Sequence, residues 1–472
     1  MQKSTKIVAT IGPATETEQV LEHLLLAGMN VARFNTKHGT PEWHHERIAR
    51  VKTVAERMNK PVGVLLDLQG PEVRITIPGG QGFEVKDGDE VVFTSNEADT
   101  DPHHPLIPQM VIDSLHEHDT VLIDDGIGEF VILSKEGSLL KTRALNACTV
   151  GNRKTMNTPG VTLDMPSLIP ADLVQLDAAS NDTVDYVGLS FVRNAHDIAI
   201  LREELNKRNL TASIIAKIEN QAAIDNLDEI IDAADIVMVA RGDLAVEIPY
   251  QMITYWQKQI IQRCREKAKP VITATQMLKS MVDRPRPTRA EVSDVANAVY
   301  DGTDAVMLSE ETTIGKFPVE TVTTQATIVT FNEQHAMPPA LQIADDSHTA
   351  YITHSAVALL KKSTKADSEL HIDKIVCLTE TGETARFLAR YRPGVPIEVL
   401  TSNQQTYRKL SIVYGVTPHI VELPGDRLES SESLLGKITS MGLAQTGETI
   451  LLVHGTFWKK PGLTNTMSVL TL

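Results

Sequence analysis

The sequence predicts an α/β protein that is built from a closed (βα)8 TIM barrel, an inserted β-barrel-like lid domain and a C-terminal open α/β domain. Three patterns support this prediction. Short β-branched runs alternate with segments of helical period in two parts of the chain, a β-rich stretch separates those parts, and a second alternating pattern follows them. We expect the barrel at residues 1–74 and 160–337, the lid at 75–159 and the C-terminal domain at 338–472.

Eight strand-like runs make up the predicted barrel. They are KIVATIG, NVARFNT, VGVLLDL, DYVGLSF, SIIAKIE, DIVMVARGD, PVITATQ and DAVMLSE. Eight βα units are the number that closes such a barrel, although a doubly wound open sheet also fits the alternation. Two capping boxes are predicted between the runs, Thr15 with Glu18 and Thr288 with Glu291. Gly28 fits a helix end.

The lid follows Arg74 and differs from the barrel in its residue pattern. The stretches GGQGFEVKDGDEVVFTS and VLIDDGIGEFVIL alternate apolar residues with Gly and Asp turns, which is typical of antiparallel β-structure. The chain enters and leaves the lid through ITIPGG and MNTPGVTLDMP, where Pro and Gly suit a two-stranded hinge. After Pro338, the runs KIVCLTE, PIEVLTS and TILLVHG alternate with helical segments and predict the C-terminal domain.

The charge balance limits the possible partners. Lys and Arg number 45 against 61 Asp and Glu, so the formal net charge of -16 disfavours binding to nucleic acid or to anionic membranes. No apolar signal core precedes the first strand-like run, and no run of about 18 apolar residues occurs, so we expect a cytoplasmic protein. Cys148, Cys264 and Cys377 lie far apart and indicate neither disulfides nor a thiolate metal site.

Polar residues end most of the predicted strands, where the reacting groups of such a barrel lie. They are Arg33, Asn35, Lys37, Asp67, Lys217, Glu219, Asn220, Arg241, Gly242, Asp243, Thr275, Gln276 and Ser309. Lys217 and Glu219 are two residues apart, so both face the mouth of the barrel if the strand is extended. Asp243 adds a second carboxylate, and two hard oxygen ligands beside cations suggest Mg²⁺ or Mn²⁺.

A metal beside Arg33 and Lys217 would bind an anionic substrate. This set suits phosphoryl transfer or stabilisation of an enolate, because both reactions build up negative charge on oxygen. The RGDL segment opens onto a helix start near Pro249, so its backbone N–H groups could receive a carboxylate. We interpret His44 and His45 as part of a solvated helix face.

Seven motifs follow one another along the chain: GMNVARFN, LDLQGPEVR, AKIEN, MVARGDLAVEIP, ITATQML, RPRPTRAEVSDVANAVYDGTDAVMLS and ARYRP. With TKIVATIGP near the start and TNTMSV near the end, they resemble the pyruvate kinase family. The resemblance implies a homotetramer that acts in glycolysis. It would transfer a phosphoryl group from phosphoenolpyruvate to ADP, giving ATP and an enolate that is protonated to pyruvate.

The resemblance also implies a role for each site residue. Arg33 and Lys217 would hold the transferring phosphoryl group and act with Thr275 as catalytic residues. Glu219 and Asp243 would bind the divalent metal.

The substrate carboxylate would lie against the backbone of Gly242 and Asp243 and the hydroxyl of Thr275. The enolate would be protonated through a water chain near Thr275 and Ser309.

The nucleotide phosphates would face Arg33, Asn35, His38 and Arg74. Asp164, at the lid hinge, would meet the nucleotide-bound metal.

One position departs from the family pattern. The family usually has NFSHG where this chain has NTKHG, so Lys37 replaces a serine that normally ligates potassium. The other expected ligands are Asn35, Asp67 and the carbonyl of Leu68. A potassium ion about 4 Å from an ammonium would be repelled by roughly 4 kcal/mol at an effective dielectric of about 20. We hypothesise that Lys37 lies near Asp67 and replaces the ion, so that K⁺ is not required. The alternative is that Lys37 turns outward into solvent, and Glu72 argues against replacement because it resembles potassium-dependent members.

Two other functions stay open at this level. One is a metal-dependent lyase that cleaves carbon–carbon bonds through a pyruvate enolate on a similar barrel. The inserted lid and the C-terminal domain argue against it. The other is a non-catalytic paralogue, which loss of Lys217, Glu219 or Asp243 would indicate, and all three are present.

Overall fold

The chain begins with two βα units and a third strand. The computed structural model describes residues 3–364, 367–422, 431–457 and 462–472, so the predicted first and last domains include short stretches outside the described residues. The first elements are β1 (Lys6–Thr10), α1 (Glu18–Ala27), β2 (Val31–Asn35), α2 (Pro41–Arg57) and β3 (Gly63–Asp67).

A β-rich domain follows β3, as the alternation of apolar residues and turns predicts. Its elements are β4 (Phe83–Val85), β5 (Glu90–Thr94), α3 (Gln109–Ser114), β6 (Thr120–Ile123), β7 (Gly128–Glu136), β8 (Leu139–Ala144), β9 (Cys148–Val150) and β10 (Met156–Asn157). The strands form a five-stranded antiparallel sheet in the order β10-β6-β7-β8-β5 and a two-stranded sheet of β4 and β9. Phe93, Phe130 and Val121 are fully buried in the core of this lid domain.

The remaining βα units follow the lid. They comprise α4 (Pro170–Asp177), β11 (Tyr186–Leu189), α5 (Ala195–Lys207), β12 (Ser213–Ile218), α6 (Gln221–Asp225), α7 (Leu227–Ala233), β13 (Ile236–Ala240), α8 (Arg241–Glu247), α9 (Ile253–Glu266), β14 (Val271–Ala274), α10 (Arg289–Asp301), β15 (Ala305–Leu308), α11 (Glu310–Thr313) and α12 (Pro318–Glu333). Short 3-10 helices lie at Tyr250–Met252 and Lys279–Val282.

Eight parallel strands close into a barrel in the order β1-β15-β14-β13-β12-β11-β3-β2. β1 pairs with β15, where Ala9 lies opposite Leu308, and also with β2, where Thr10 lies opposite Arg33. Because β1 has a neighbour on each side, the sheet has no edge, and the (βα)8 prediction is confirmed over the open-sheet alternative. All eight runs that the sequence indicates as strands contribute to the barrel.

Two local predictions near the barrel helices are wrong. The N-cap of α1 is Thr17, whose side chain accepts the Val20 N–H, whereas Thr15 donates its hydroxyl to the carbonyl of Thr312 at 2.9 Å. His44 is buried, with its ring edge-on to Phe34 and Trp43, and burial lowers the pKa of its imidazole. A solvated face therefore describes His45 but not His44.

Other local predictions hold. Thr288 and Glu291 form the capping box of α10, with each side chain bonded to the other's backbone N–H. Gly28 ends α1 with a φ of 118°, a left-handed conformation that favours glycine. The three cysteines are free and buried, as small apolar side chains would be.

The C-terminal domain is an open α/β sheet. Its elements are α13 (His348–Ser363), β16 (Lys374–Leu378), α14 (Glu383–Ala389), β17 (Ile397–Thr401), α15 (Gln404–Lys409), β18 (Val416–Ile420), α16 (Ser431–Ser440), β19 (Thr449–Gly455) and β20 (Thr464–Thr471). The sheet order is β18-β17-β16-β19-β20, in which only β20 runs antiparallel to its neighbour. None of the helices in the described part of the chain has the length and apolar character that a membrane crossing requires.

Candidate active site

The C-terminal ends of the barrel strands form the mouth of the barrel, and the predicted charged residues meet there. Arg33 and Asp67 extend from the neighbouring strands β2 and β3, and Lys217 extends from β12. Asp67 pairs with both cations, since its Oδ2 lies 2.7 Å from Arg33 Nε and its Oδ1 lies 3.3 Å from Lys217 Nζ. All three side chains are buried, and they share one space at the mouth.

The shifted pKa values of Lys217 and Asp67 keep both side chains ionised. Burial acts to lower the pKa of the Lys217 ammonium, but the carboxylates of Asp67, Glu219 and Asp243 outweigh it and raise the pKa above its ordinary value. Burial acts to raise the pKa of Asp67, and Lys217 with Arg33 holds it below the ordinary value instead. Lys217 is therefore a fixed cation and Asp67 a fixed anion at neutral pH.

Glu219 and Asp243 bring two carboxylates together beside Lys217. Glu219 lies 2.9 Å from Lys217 Nζ and accepts the backbone N–H of Phe191 at 2.7 Å. Burial, followed by the nearby Glu219 charge, raises the pKa of Asp243 to about 7, although Lys217 and Lys37 act in the opposite direction. A carboxylate that burial and a like charge make so unfavourable is one that a bound cation would stabilise.

The donor set can be compared with the needs of a metal ion. In the described parts of the chain, no group of three or more His, Cys, Asp or Glu side chains is arranged to hold a metal. Mg²⁺ commonly uses one or two protein carboxylates and takes its other ligands from substrate oxygens and water. Glu219 and Asp243 therefore fit Mg²⁺, and they do not form a cage that would hold a metal by protein ligands alone.

A short helix, α8, begins at the mouth and presents its first N–H groups there. The sequence indicated a helix start near Pro249, but α8 already begins at Arg241 and includes Gly242 and Asp243 in its first turn. The N–H of Gly242 donates to Thr275 Oγ1 at 2.8 Å. Thr275 has a φ of 68°, an uncommon left-handed conformation for a β-branched residue. The Thr275 hydroxyl in turn donates to the carbonyl of Ala274 at 2.7 Å, so in this structure the two donors that the sequence predicted for a carboxylate bond within the protein.

Arg241 holds this strained turn, a role that the sequence did not reveal. Its guanidinium donates to the carbonyls of Ala274 at 3.1 Å and Thr275 at 2.8 Å, and it pairs with Asp294 at 2.6 Å. Because the carbonyls belong to the turn itself, the arginine fixes the position of the Thr275 hydroxyl. A charged residue directly after β13 was the available signal.

Lys37 does not have the partner that the sequence predicted. Its ammonium lies 3.0 Å from Glu72 Oε1 and 5.9 Å from the centre of the Phe191 ring, while Asp67 pairs with Arg33 and Lys217. The side chain is only 24% exposed, so the outward alternative does not describe it either. The partners of the two carboxylates explain the outcome: Glu72 has one other cation, Arg74, whereas Asp67 is already paired with both Arg33 and Lys217 and attracts a third cation less.

The other predicted ligands of a monovalent cation make bonds within the protein. Asn35 Oδ1 accepts the backbone N–H of Lys37 at 3.2 Å. The carbonyl of Leu68 accepts the hydroxyl of Ser190 at 2.7 Å. Both oxygens still have a second lone pair, but each is already used by a donor of the chain.

Three of the residues predicted to face the nucleotide or its metal, namely His38, Arg74 and Asp164, have exposed side chains, whereas Arg33 is buried in the cluster. His38 is exposed after β2, and Arg74 donates to Glu72 at 2.8 Å and to the carbonyl of Arg153 at 2.8 Å. Asp164 is exposed on the connection from the lid, between Leu163 and Met165 of the cleft wall. The structure thus leaves these side chains accessible without joining them to the Lys217 cluster.

A cleft of about 750 Å³ separates the mouth from the lid. Asp243, Thr275 and Ser309 line it from the barrel, and Asp125 and Thr155 line it from the lid. This volume is sufficient for a small organic anion together with part of a nucleotide. Asp243 therefore connects the charged cluster to a substrate-sized cleft.

A hydrogen bond joins the lid to the barrel beside this cleft. Asn157 Nδ2, at the end of β10, donates to Glu247 Oε1, at the end of α8, at 2.9 Å. Burial raises the pKa of Glu247.

Comparisons with known proteins identify the family. Two family models match, "Pyruvate kinase, barrel domain" over residues 2–322 and "Pyruvate kinase, alpha/beta domain" over residues 357–470. Pyruvate kinases from Staphylococcus epidermidis and Bacillus licheniformis are each 38% identical over 474 and 471 residues, which cover 99% of this chain and 80% of each relative. The crystal structure of a pyruvate kinase from Cryptosporidium parvum matches with a TM-score of 0.89 at 32% identity, covering 99% of this chain and 96% of that chain. The chain therefore belongs to the pyruvate kinase family and is an enzyme of the phosphotransferase class.

Proposed function

We propose that the enzyme transfers the phosphoryl group of phosphoenolpyruvate to ADP in a reaction that depends on Mg²⁺, or on Mn²⁺ in its place, and does not require K⁺. The bond between phosphorus and the enol oxygen breaks, a bond to a terminal oxygen of ADP forms, and the enolate takes up a proton to become pyruvate. The observation that carries this proposal is the protonated Lys217 beside the carboxylates of Glu219 and Asp243, the second of which lines the cleft.

Arg33 and Lys217 supply fixed positive charge to the phosphoryl group. Phosphoryl transfer needs little covalent help from the protein, so positioning and charge stabilisation account for most of the catalysis. The raised pKa of Lys217 supports a role as a cation rather than as a base. Glu219 and Asp243 would hold the divalent metal, which supplies charge neutralisation to the phosphoryl oxygens when bound.

The substrate carboxylate would lie at the start of α8. The first N–H groups of a helix favour an anion, and Gly242 and Asp243 provide them there. Thr275 adds a hydroxyl, and Arg241 holds the turn on which it lies. We place the proton donor of the enolate among waters near Thr275 and Ser309.

The nucleotide would enter from the outer side of the mouth. Asn35, His38 and Arg74 are available to its phosphates together with Arg33, and Asp164 to its metal. Support comes from their places on the loop after β2, at the start of the lid and on the connection that returns from the lid.

Independence from potassium rests on Lys37. Its ammonium is tethered at the mouth, lies near enough to Asp243 to lower that residue's pKa, and is held by Glu72 rather than by Asp67. A tethered cation can provide the positive charge that a bound potassium ion would otherwise bring. The contact with Glu72 keeps the ammonium in place and offsets part of its charge.

The assay that tests the proposal measures pyruvate formation from phosphoenolpyruvate. It is run with and without ADP, with Mg²⁺ or with a chelator, and in potassium-free buffer or with KCl at matched ionic strength. We expect equal, substantial rates with and without KCl, and no pyruvate when ADP or the divalent metal is left out. A strong requirement for KCl would contradict the role of Lys37, and ADP-independent pyruvate formation would favour the lyase. Absence of activity under every condition would favour the non-catalytic paralogue.

The Lys37→Ser variant tests directly whether the Lys37 ammonium replaces a potassium ion. We expect its kcat in potassium-free buffer to fall about tenfold and to recover with KCl, because the serine restores a ligand and removes the competing charge. Lys207→Ser is the control, since Lys207 lies on the exposed face of α5 and pairs with Glu203 and Glu204 of the same helix. If the activity of Lys37→Ser does not change with KCl, Lys37 does not replace potassium.

A cytoplasmic homotetramer is part of the proposal. The family resemblance suggests the tetramer, and large apolar side chains on the outside of the barrel support a surface for association. Tyr250 is 81% exposed, Phe331 62% and Tyr255 55%. Light scattering at micromolar concentration would test it, and a mass of one chain would exclude it.

A further inference from the structure

The hydroxyl of Ser190 lies between the catalytic lysine and a backbone carbonyl. Ser190 follows β11 at the mouth and is 2% exposed. Its Oγ accepts a hydrogen bond from Lys217 Nζ at 2.7 Å and donates one to the carbonyl of Leu68 at 2.7 Å. The roles are unambiguous, because an ammonium can only donate and a carbonyl can only accept. The hydroxyl hydrogen is thus used on Leu68, and a lone pair points at Lys217.

Ser190 is the neutral member among three oxygen neighbours of this ammonium. The other two are Asp67 Oδ1 at 3.3 Å and Glu219 Oε1 at 2.9 Å. A carboxylate neighbour holds the ammonium but offsets its charge, whereas a hydroxyl holds it and leaves that charge available to a phosphoryl group. The shortest of the three contacts is the one that does not offset the charge.

An uncommon backbone conformation and close packing constrain the turn that carries Ser190. Phe191 has a φ of 55°, an uncommon conformation for a bulky residue, and its N–H donates to Glu219. Gly70 packs against the turn, and a Cβ at this glycine would lie only 2.8 Å from the Cβ of Ser190. The turn therefore supports Lys217 through its hydroxyl and Glu219 through its backbone, and tight packing limits its movement.

We propose that Ser190 is a positioning residue for phosphoryl transfer, whose hydroxyl aims the Lys217 ammonium from a fixed point on Leu68. This inference rests on the proposed function, because it assigns Ser190 to the lysine of that reaction. It also joins two parts of the mouth, since the carbonyl that anchors Ser190 is the one expected to ligate a monovalent cation.

Two substitutions at Ser190 test this role. Ser190→Ala removes the hydroxyl, and Ser190→Cys keeps a side chain of similar shape with a much weaker hydrogen-bonding group. We expect kcat per folded molecule to fall about 10- to 100-fold in Ser190→Ala and less in Ser190→Cys, because a small displacement of a catalytic group has such effects. The KM for phosphoenolpyruvate should change less than threefold in both.

Ser363→Ala is the matched control. Ser363 is also buried, and its hydroxyl donates to a backbone carbonyl, that of Leu360 at 2.8 Å, in the C-terminal domain. Thermal unfolding followed by circular dichroism gives the folded fraction of each variant. A purely structural role would lower the melting temperature of Ser190→Ala and Ser363→Ala alike and leave kcat per folded molecule unchanged.

The outcomes separate the inference from the function on which it rests. A kcat for Ser190→Ala and Ser190→Cys within twofold of the unsubstituted enzyme would overturn the positioning role alone. An unsubstituted enzyme without ADP-dependent activity would overturn the proposed function and the inference together. If Ser190→Ala fails to fold, the kcat of the better-packed Ser190→Cys decides between a loss and no change.

Discussion

At the base of the barrel, where the strands begin, the buried carboxylate of Asp304 is fully bonded within the protein, whereas the buried carboxylates at the mouth are not fully compensated. Asp304 at the base receives Arg392 on both carboxylate oxygens, at 3.2 and 2.9 Å, and the backbone N–H groups of Tyr414 and Val271 at 3.1 Å each. Asp304 and Arg392 are both nearly inaccessible to solvent, and the pair joins the barrel to the C-terminal domain.

At the mouth, Glu219 and Asp243 lie close enough for one charge to raise the pKa of the other, with Lys217 as the nearest compensating cation. Asp243 of this cluster lines the cleft, whereas Asp304 is bonded to the C-terminal domain. The comparison teaches that burial of charge alone does not identify a site. Incomplete compensation beside a cavity is the more informative feature.

The largest expected effect is on catalysis and comes from the mouth. Lys217→Met should lower kcat by about 10³- to 10⁴-fold, because it removes the principal fixed cation from the phosphoryl group. The melting temperature should fall too, because the buried carboxylates of Asp67 and Glu219 lose a cationic partner, so kcat is compared per folded molecule. Steady-state kinetics and thermal unfolding measure the two quantities. Lys207→Met on the exposed face of α5 serves as the control, and a Lys217→Met enzyme with a tenth of normal kcat would contradict this assignment.

The second effect is on stability and comes from the base. Arg392→Met leaves Asp304 buried without its bidentate partner, which should cost at least about 3 kcal/mol in the free energy of unfolding. The kcat per folded molecule should stay within twofold, because the pair is remote from the cleft. Urea unfolding of Arg57→Met gives the comparison, since Arg57 pairs with Glu18 and Glu22 at 49% exposure and such pairs contribute about 1 kcal/mol or less. Equal losses in the two variants would remove the distinction between the base and the surface.

The smallest expected effect is a pH dependence of the unfolding free energy, and it comes from Lys6 at the start of β1. Its Nζ donates to the carbonyl of Val416 at 2.7 Å, and burial lowers its pKa from 10.5 to about 8. Between these values the unfolded chain binds the proton and the folded chain does not, so folding gains stability as the pH rises through this window. The difference in unfolding free energy between the unsubstituted enzyme and Lys6→Met should therefore increase by up to about 3 kcal/mol from pH 8 to 10.5 and stay constant below pH 8. A constant difference across the whole range would show that the ammonium remains charged in the folded state.

Features with a local cause could be predicted from the sequence. The eight barrel strands, the Thr288 capping box and the helix end at Gly28 depend on residues that are close in sequence. The residues at the strand ends could also be predicted to lie together, because a closed parallel barrel brings all its strand ends to one mouth whatever the connections between them contain. Arg33, Lys217, Glu219 and Asp243 were identified in this way.

Features that depend on a distant partner could not be predicted. The potassium site of the family suggested Asp67 for Lys37, but the ammonium pairs with Glu72, which lies after β3 and just before the lid. His44 fitted a polar helix face until Phe34 of β2 was packed beside it. Ser190 directly follows β11, so its position at the mouth could have been predicted in the same way as that of Lys217. A single hydroxyl does not indicate a role, however, until its two hydrogen-bond partners are known.

The sequence by itself determined the barrel, the inserted lid, the family and most of the charged residues of the mouth. These follow from periodicity and from motifs, in which neighbouring residues are sufficient. Only the tertiary structure decided which charges are paired, because the free energy of a buried charge depends on atoms within a few ångströms that come from different strands and domains. Acidic and basic residues that look alike in the sequence therefore form a bidentate ion pair between two domains at the base and an incompletely compensated cluster at the mouth.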